Sequence, residues 1–226
     1  MKSIVLFCFL FSQWIVAQEK DSLRLQFHFK FDDASIVANQ QYISKQKDTL
    51  QIDTFRFYVS DIQILYADNS ILKTNESHLV DLELPNSQKV PIGLYTKKEI
   101  KQITFAIGVD SLANVSGALA GDLDPAKGMY WAWQSGYINM KMEGKSSSCK
   151  TRKNQFQFHI GGYLKPNNAL RTFTLNQPKN NATIDVAVNV ALFFSEVSLS
   201  QTNSIMIPGK RAMQLADCGV KMFETE

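Results

Sequence analysis

The stretch Leu23-Arg-Leu-Gln-Phe-His-Phe-Lys-Phe31 alternates apolar and polar side chains without interruption. Successive side chains of a β-strand point to opposite faces, so a period of two separates an apolar face from a polar one. The stretch therefore predicts a strand that buries its leucine and phenylalanine side chains and exposes the others.

The same period of two recurs along the chain, with polar or Gly/Pro-containing segments between the repeats. The further predicted strands cover residues 55–59, 78–84, 103–109, 156–160, 170–175 and 184–194. Repeated short strands of this kind are typical of an all-β fold, an antiparallel β-sandwich or barrel-like sheet. We expect one or two short helices: one over residues 208–217, beginning at Pro208, and a turn or two over residues 95–101.

The N-terminal residues 1–17 contain one charged residue, Lys2, and then mostly apolar side chains up to Ala17. This pattern predicts a secretory signal peptide that is cleaved after Ala17, and it is too short for a lasting membrane anchor. Residues 18–226 are then expected to form a single all-β domain that is periplasmic or secreted.

The charges of the chain are almost balanced, with 24 basic and 21 acidic residues. Because no basic stripe is present, the sequence does not indicate nucleic-acid binding. Two cysteines, Cys149 and Cys218, lie beyond the signal peptide. In an oxidising compartment they are compatible with a disulfide, and the alternative, a thiolate metal pair, is less favoured because neither has a neighbouring ligand-type residue.

Two of the three tryptophans, Trp131 and Trp133, follow the turn that begins at Gly121. In an extended strand their two-residue spacing would direct both indoles to one face, where they could pack in a core or form a site. The acidic residues of the turn, Asp122 and Asp124, do not fit the calcium loop of an EF-hand. As a pair of carboxylates they permit an enzyme hypothesis, although acidic residues in such a turn more often stabilise it.

The chain has only three histidines, His28, His78 and His159. His28 and His159 each lie on the polar side of a predicted strand, and they could bind one metal ion if the two strands are neighbours on one sheet face. His78 alternates in phase with the apolar residues after it, which favours a structural role.

The most specific motifs of the chain are Gly108-Val-Asp-Ser-Leu-Ala-Asn114, Leu123-Asp-Pro-Ala-Lys-Gly-Met-Tyr-Trp-Ala-Trp-Gln-Ser-Gly-Tyr137 and Phe158-His-Ile-Gly-Gly-Tyr163. They resemble, in the same order, motifs of the MbnP family of exported copper-binding proteins, and with weaker matches the similarity extends over nearly the whole chain beyond the signal peptide. The chain resembles this family, and the resemblance implies an exported protein with a copper site.

In the family, a di-haem cytochrome c peroxidase-type protein oxidises a tryptophan to kynurenine, and the modified residue joins imidazoles at the copper site. By resemblance, Trp131 and Trp133 are the candidates for this modification, with Trp131 favoured, and His159 is a candidate ligand. Some relatives have Trp-x-His where this chain has Trp133, and His28 is the candidate that would replace the missing imidazole. Met129, Met140 and Met142 are either soft donors or packing residues.

The resemblance thus implies a copper-binding protein that acts in copper handling and is not an enzyme. An alternative from another class is a β-sandwich module that binds a glycan or a protein through exposed aromatic rings. Its platform would consist of Trp131, Trp133 and Tyr137.

Overall fold

A computed structural model describes residues 22–134 and 136–225 of the chain. The predicted signal peptide, residues 1–17, lies outside the described residues. Within the described ranges, no helix is both long enough and apolar enough to cross a membrane.

The described residues contain fifteen strands and three α-helices. The first strands are β1 (Ser22–Phe31), β2 (Ala34–Ser35), β3 (Gln41–Ile43), β4 (Thr49–Tyr66), β5 (Ile71–Thr74), β6 (His78–Asp81), β7 (Lys89–Leu94) and β8 (Ile100–Ile107). The later strands are β9 (Tyr130–Trp131), β10 (Gly136–Ser146), β11 (Gln155–Gly161), β12 (Arg171–Asn176), β13 (Thr183–Asn189), β14 (Ser204–Ile205) and β15 (Phe223–Thr225). The helices are α1 (Ser111–Val115), α2 (Val190–Glu196) and α3 (Lys210–Val220), and short 3₁₀ turns occupy Pro85–Gln88, Gly121–Leu123, Pro125–Lys127 and Arg152–Asn154.

The strands form two sheets. In the smaller sheet the order is β15-β13-β1-β2, and β7 also pairs with β1. The larger sheet has the order β12-β8-β4-β10-β11-β14, with β3, β5 and β6 on β4 and β9 on β10. Most pairs are antiparallel, but β1 with β13 and β11 with β14 are parallel.

The main core lies between the two sheets and joins their apolar faces. Phe27 of β1 contacts Phe57 of β4 edge-on, with ring centroids 5.5 Å apart, and it contacts Phe105 of β8 at 5.8 Å. Edge-to-face contacts of this kind add to the free energy of burying the rings. The alternation in β1 therefore exists because one face of the strand closes this core while the other faces outward.

The all-β class is confirmed, and each segment predicted to be a strand contains one. The prediction of a strand over 184–194 is wrong in its second half, since β13 ends at Asn189 and α2 follows. The Asn189 side chain accepts a hydrogen bond from the backbone N–H of Ala191 and so caps this helix. The apolar residues of α2 remain buried, and burial alone does not distinguish a strand from a short helix.

The other helix predictions also need correction. The predicted C-terminal helix exists but runs over Lys210–Val220, beginning after Pro208 rather than at it. Residues 95–99 contain no helical turn, and β8 begins at Ile100. With α1 and α2, three helices are present in the described residues rather than one or two.

Candidate functional site

A second, smaller apolar cluster lies on the outer face of the larger sheet, where residues 109–134 fold back over β4, β6 and β10. We refer to it as the outer cluster, and its buried members are Tyr58, Leu79, Val109, Met129, Trp131, Tyr137 and Ile138. The cluster is separate from the main core because the side chains on the two faces of these strands point in opposite directions.

Buried hydrogen bonds fix α1 to the start of β10. Asp110 caps α1 by accepting hydrogen bonds from the backbone N–H groups of Leu112 and Ala113. Asn114 is 2% exposed; its amide group donates to the Val109 carbonyl at 3.0 Å, and its side-chain oxygen accepts from the Tyr137 N–H at 2.8 Å. Because this buried amide is hydrogen-bonded to both chain segments, it fixes their relative position.

Tyrosine hydroxyls hold the next part of the segment. Tyr58 donates to the Asp122 carbonyl at 3.0 Å, and the Tyr137 hydroxyl lies 3.0 Å from the Leu123 carbonyl and accepts from the Leu119 N–H at 2.9 Å. Burial is the main reason that the pKa values of Tyr58 and Tyr137 are raised. Both phenols therefore keep their protons and act as donors.

The acidic turn is stabilised by its own carboxylates. Asp122 accepts a hydrogen bond from the Leu79 N–H at 3.0 Å, and its other oxygen lies 2.5 Å from Lys127 Nζ. Asp124 accepts from the Ala126 N–H at 2.8 Å and caps the 3₁₀ turn that follows. Both carboxylates have structural partners, which favours their interpretation as turn residues over the enzyme hypothesis.

The two tryptophan rings are in contact, although the two residues do not lie on one extended strand as their spacing suggested. Only Trp131 belongs to β9, opposite Gly136 of β10, and Trp133 lies in the turn that follows. The ring centroids are 5.9 Å apart at an interplanar angle of 48°. Trp131 is 6% exposed and Trp133 is 63% exposed, so the pair connects the outer cluster to the surface.

Trp131 packs on a glycine of β11. A Cβ placed on Gly161 would lie only 2.8 Å from Cζ3 of the indole and 2.6 Å from the Tyr137 carbonyl oxygen. The absence of a side chain on Gly161 thus creates the space that the indole fills.

His159 lies on the same outward face of β11 as Gly161. The intervening Ile160 belongs to the main core, and side chains two residues apart share a face, with Cα atoms about 6.6 Å apart. His159 and the Trp131 indole therefore lie on the same outward face of the larger sheet, with Gly161 in contact with the indole.

A carboxylate holds the His159 ring. His159 Nε2 lies 2.7 Å from Glu143 Oε1, and Lys141 Nζ lies 3.6 Å from the same oxygen. The hydrogen bond from His159 is the main reason that the pKa of Glu143 is lowered. The His159 side chain is only 10% exposed, so its orientation depends largely on this contact.

The structure does not bring His28 to this site. His28 lies on β1 of the smaller sheet, and its Nε2 is 2.7 Å from Oδ1 of Asp185 on β13. Both His28 and His159 face away from the main core between the sheets, on opposite sides of the protein. They could share a metal ion only if their strands were neighbours on one sheet face. The two strands belong to different sheets, so this condition is not met.

His78 is the first residue of β6 and lies at a different place on the outer surface. Its side chain is 14% exposed, and its Nε2 is 3.7 Å from Glu76 Oε2. Two clefts of about 530 and 570 Å³ lie on either side of His78 and Asp122. Neither cleft is lined by Trp131, Trp133 or His159.

The three candidate methionines have different surroundings. Met129 is fully buried in the outer cluster with Trp131, whereas Met140 and Met142 belong to the main core. Only Met129 of these three is on the same side of the larger sheet as His159. The other two are packing residues between the sheets.

The two cysteines are free thiols in the structure, so the disulfide considered from the sequence is not formed. Cys149 is buried in the main core, and Cys218 of α3 lies 3.4 Å from Glu196 Oε2. Burial raises the pKa of both thiols.

The conventional donors of the unmodified chain do not form a metal centre by themselves. Within residues 22–134 and 136–225, no group of three or more His, Cys, Asp and Glu side chains could hold a metal ion. An intact indole nitrogen is a donor and a poor ligand. Opening the indole would add an aromatic amine and a ketone, whose lone pairs could join the imidazole of His159, a ligand type that suits copper.

Sequence reasoning missed Glu143, and it gave no positioning role to Asn114 or Gly161, which lie within the quoted motifs. Glu143 and His159 both occupy polar positions of alternating strands, and a carboxylate near a histidine is a signal for such a pair. The sequence contains no signal that β10 and β11 are neighbours in this register.

The comparisons with known proteins concern the family and the fold of this chain. A family model described as MbnP matches residues 20–207. The fold is similar to the solved structure of MbnP from Methylosinus trichosporium, with a TM-score of 0.62, 13% identity, and coverage of 79% of this chain and 78% of that one. Among curated protein sequences, none matches this chain. From the extent of the family match and the shared fold, we conclude that the chain belongs to the MbnP family.

Proposed function

We propose that this protein is an exported copper-binding protein that acts in copper handling and does not catalyse a reaction. Its site forms around Trp131, Trp133 and His159 on the outer face of the larger sheet. The proposal combines membership of the MbnP family with the position of these three residues.

One observation carries the proposal: Trp131 packs on Gly161, two residues beyond His159 on the same strand face, and Trp133 contacts Trp131 with the ring planes tilted by 48°. An oxidisable indole on the same sheet face as an imidazole supports the proposal, because imidazole is a ligand suited to copper. The proposal relies on His159 and not on His28, because His28 lies on the other sheet.

The site matures when a di-haem cytochrome c peroxidase-type partner oxidises one tryptophan to kynurenine. The change breaks the C2–C3 bond of the indole, releases C2 as formic acid and leaves the residue with one carbon fewer and one oxygen more. It is a four-electron oxidation that balances as tryptophan + 2 H2O2 → kynurenine + HCOOH + H2O, with the haem partner passing the electrons to the peroxide. The buried Trp131 is the favoured target because it is the tryptophan that contacts Gly161. Trp133 is the exposed member of the pair and is the one that a partner protein can reach directly.

Copper would be held by His159 together with the amine or ketone of the modified residue. Imidazole and a soft, low-coordinate environment favour the reduced ion. Met129 is the only one of the three candidate methionines on this side of the sheet, and it is a candidate for a further soft contact.

Mass spectrometry of the protein purified from its native host tests the maturation step. The peptide containing Trp131 and Trp133 should gain about 4 Da, the result of losing one carbon and gaining one oxygen. Fragmentation of this peptide identifies the modified residue, and protein from a host that lacks the haem partner is the control. An unmodified peptide from cells that express the partner would contradict the proposal.

Copper binding is tested separately by competition with a chelator of Cu(I). The protein from the native host should bind Cu(I), and His159→Gln should weaken this binding strongly. His28→Gln is the matched control, because it removes an imidazole on the opposite side and should leave the affinity unchanged. Equal effects of the two substitutions would argue against a site at His159.

The alternative, a module that binds a glycan or protein through an aromatic platform, is supported by the 63% exposure of Trp133. The three-ring platform expected from the sequence is not formed, because Trp131 and Tyr137 are 6% and 1% exposed. A ligand of this class would change the fluorescence of Trp133 in metal-free protein, and Trp133→Ala would abolish the change.

A further inference from the structure

Glu143 lies on the outward face of β10 and β11, and the proposed function assigns it no role. Glu143 lies opposite Gln157 in the strand register, and His159 lies opposite Lys141. Glu143 and His159 are therefore diagonal neighbours on one face, a distance that long side chains can span. Their side chains meet at 2.7 Å between Glu143 Oε1 and His159 Nε2.

The direction of this hydrogen bond follows from chemistry. An ionised carboxylate can only accept hydrogen bonds, so the Nε2 nitrogen must carry the proton that lies between the two groups. In a neutral imidazole with the proton on Nε2, the lone pair is on Nδ1. Nδ1 of His159 makes no hydrogen bond to any part of the chain that the structure describes.

The contact with Lys141 does not account for the position of Glu143. Lys141 Nζ is 3.6 Å from Glu143 Oε1, which is an ion-pair distance but longer than a hydrogen bond of ordinary length. The shorter contact is the one with His159, and both groups are largely buried, with side-chain exposures of 10% for His159 and 26% for Glu143. The carboxylate is thus placed to orient the imidazole.

We propose that Glu143 is a positioning residue that holds His159 as the tautomer with its proton on Nε2 and thereby makes Nδ1 the nitrogen that binds copper. This inference rests on the proposed function for the identity of the metal. Metal-binding histidines commonly donate their second N–H to a carboxylate, which fixes the ring and increases the basicity of the ligand nitrogen.

Nitrogen-15 NMR of the metal-free protein, labelled at histidine and purified from the native host, tests the tautomer directly. At a pH where His159 is neutral, we expect its proton on Nε2 and a lone pair on Nδ1. A His159→Gln variant assigns the signals among the three histidines. Glu143→Ala should produce a mixture of tautomers, whereas Glu143→Gln, which keeps an acceptor oxygen, should restore part of the original population.

Lys141→Gln is the matched control, since it removes the other partner of Glu143 and leaves the contact with His159 in place. Its His159 signals should match those of the unchanged protein. A proton on Nδ1 in the unchanged protein would overturn the proposal, and this measurement does not depend on the folding of any variant. The same tautomer in Glu143→Ala as in the unchanged protein would also overturn it.

Adding Ag(I), a diamagnetic ion that stands in for Cu(I), tests the nitrogen that binds. The Nδ1 signal of His159 should shift while the proton on Nε2 remains, and Glu143→Ala should weaken Cu(I) binding about 10–100-fold. A shift of Nε2 with loss of its proton would overturn the proposal. If neither Ag(I) nor Cu(I) changes a histidine signal, the copper function fails, and the tautomer measurement still decides whether Glu143 positions His159.

Discussion

The indole of Trp131 occupies the space that a side chain at Gly161 would need, with Cζ3 only 2.8 Å from the position of a Cβ there. This contact joins β9 to β11, the strand that also carries His159. The candidate site therefore depends on the absence of a side chain at one position of a strand.

Gly161→Ala should displace Trp131 and lower the free energy of unfolding. We expect a cost of about 1–3 kcal/mol from overpacking, because the methyl group would also meet the Tyr137 carbonyl oxygen at 2.6 Å. Urea unfolding measures the cost, and tryptophan fluorescence reports the displacement. Gly93→Ala in β7 is the control, since its methyl group would meet Leu72 at an ordinary 3.4 Å. An unchanged fluorescence spectrum in Gly161→Ala would show that the contact is not present in solution.

The two tryptophans should differ strongly in their contribution to stability. Trp131→Ala removes a ring that is 6% exposed and should cost about 3–5 kcal/mol. Trp133→Ala removes a ring that is 63% exposed and should cost less than about 1 kcal/mol. Urea denaturation of both variants checks the difference, and equal costs would contradict the burial of Trp131.

Tyr58→Phe should loosen the segment that covers the outer cluster. The substitution removes the hydroxyl that donates to the Asp122 carbonyl at 3.0 Å, at a cost of about 1 kcal/mol. Hydrogen exchange should then be faster in residues 110–134 than in the rest of the chain. Tyr42→Phe is the control, because it removes a hydroxyl that accepts from the Val37 N–H at a distant site. Faster exchange in 110–134 with both substitutions would exclude a specific role for Tyr58.

The thiols of Cys149 and Cys218 should react slowly at neutral pH. Their reaction should become faster as the pH rises past about 9, which is the ordinary pKa of a cysteine thiol. Burial raises the pKa of Cys149, and burial followed by the hydrogen bond to Glu196 raises that of Cys218. The thiolate is the reactive form, so a raised pKa lowers its population at pH 8. Alkylation followed by mass spectrometry measures each rate.

Glu196→Gln separates the effect of burial on the pKa of Cys218 from the effect of the Glu196 carboxylate. Removing this negative charge lowers the pKa of Cys218 towards its ordinary value, while Lys221 remains as a positive neighbour. Alkylation of Cys218 at pH 8 should therefore become faster, and that of Cys149 should not change. If Cys218 reacts at the same rate in both proteins, Glu196 does not control this thiol.

The strands of the sandwich could be predicted because their alternation is local. In β1 a single buried face imposes a period of two, and that period is visible in the sequence. The same reasoning failed at Asn189, where the chain passes from β13 to α2 and the residues on both sides remain buried. A capping side chain changes the backbone there without changing the apolar composition.

The sequence by itself determined the all-β class, the family motifs and the chemical types of the candidate residues. Only the tertiary structure decided which of them meet: Trp131 contacts Gly161 on the face that carries His159, Glu143 contacts His159, and His28 contacts Asp185 on the other sheet. The physical reason is that alternation specifies which face of a strand is apolar but not which strands become neighbours. Strand order and register depend on contacts between residues far apart in the chain, and these place His159 and His28 on opposite sides of one core.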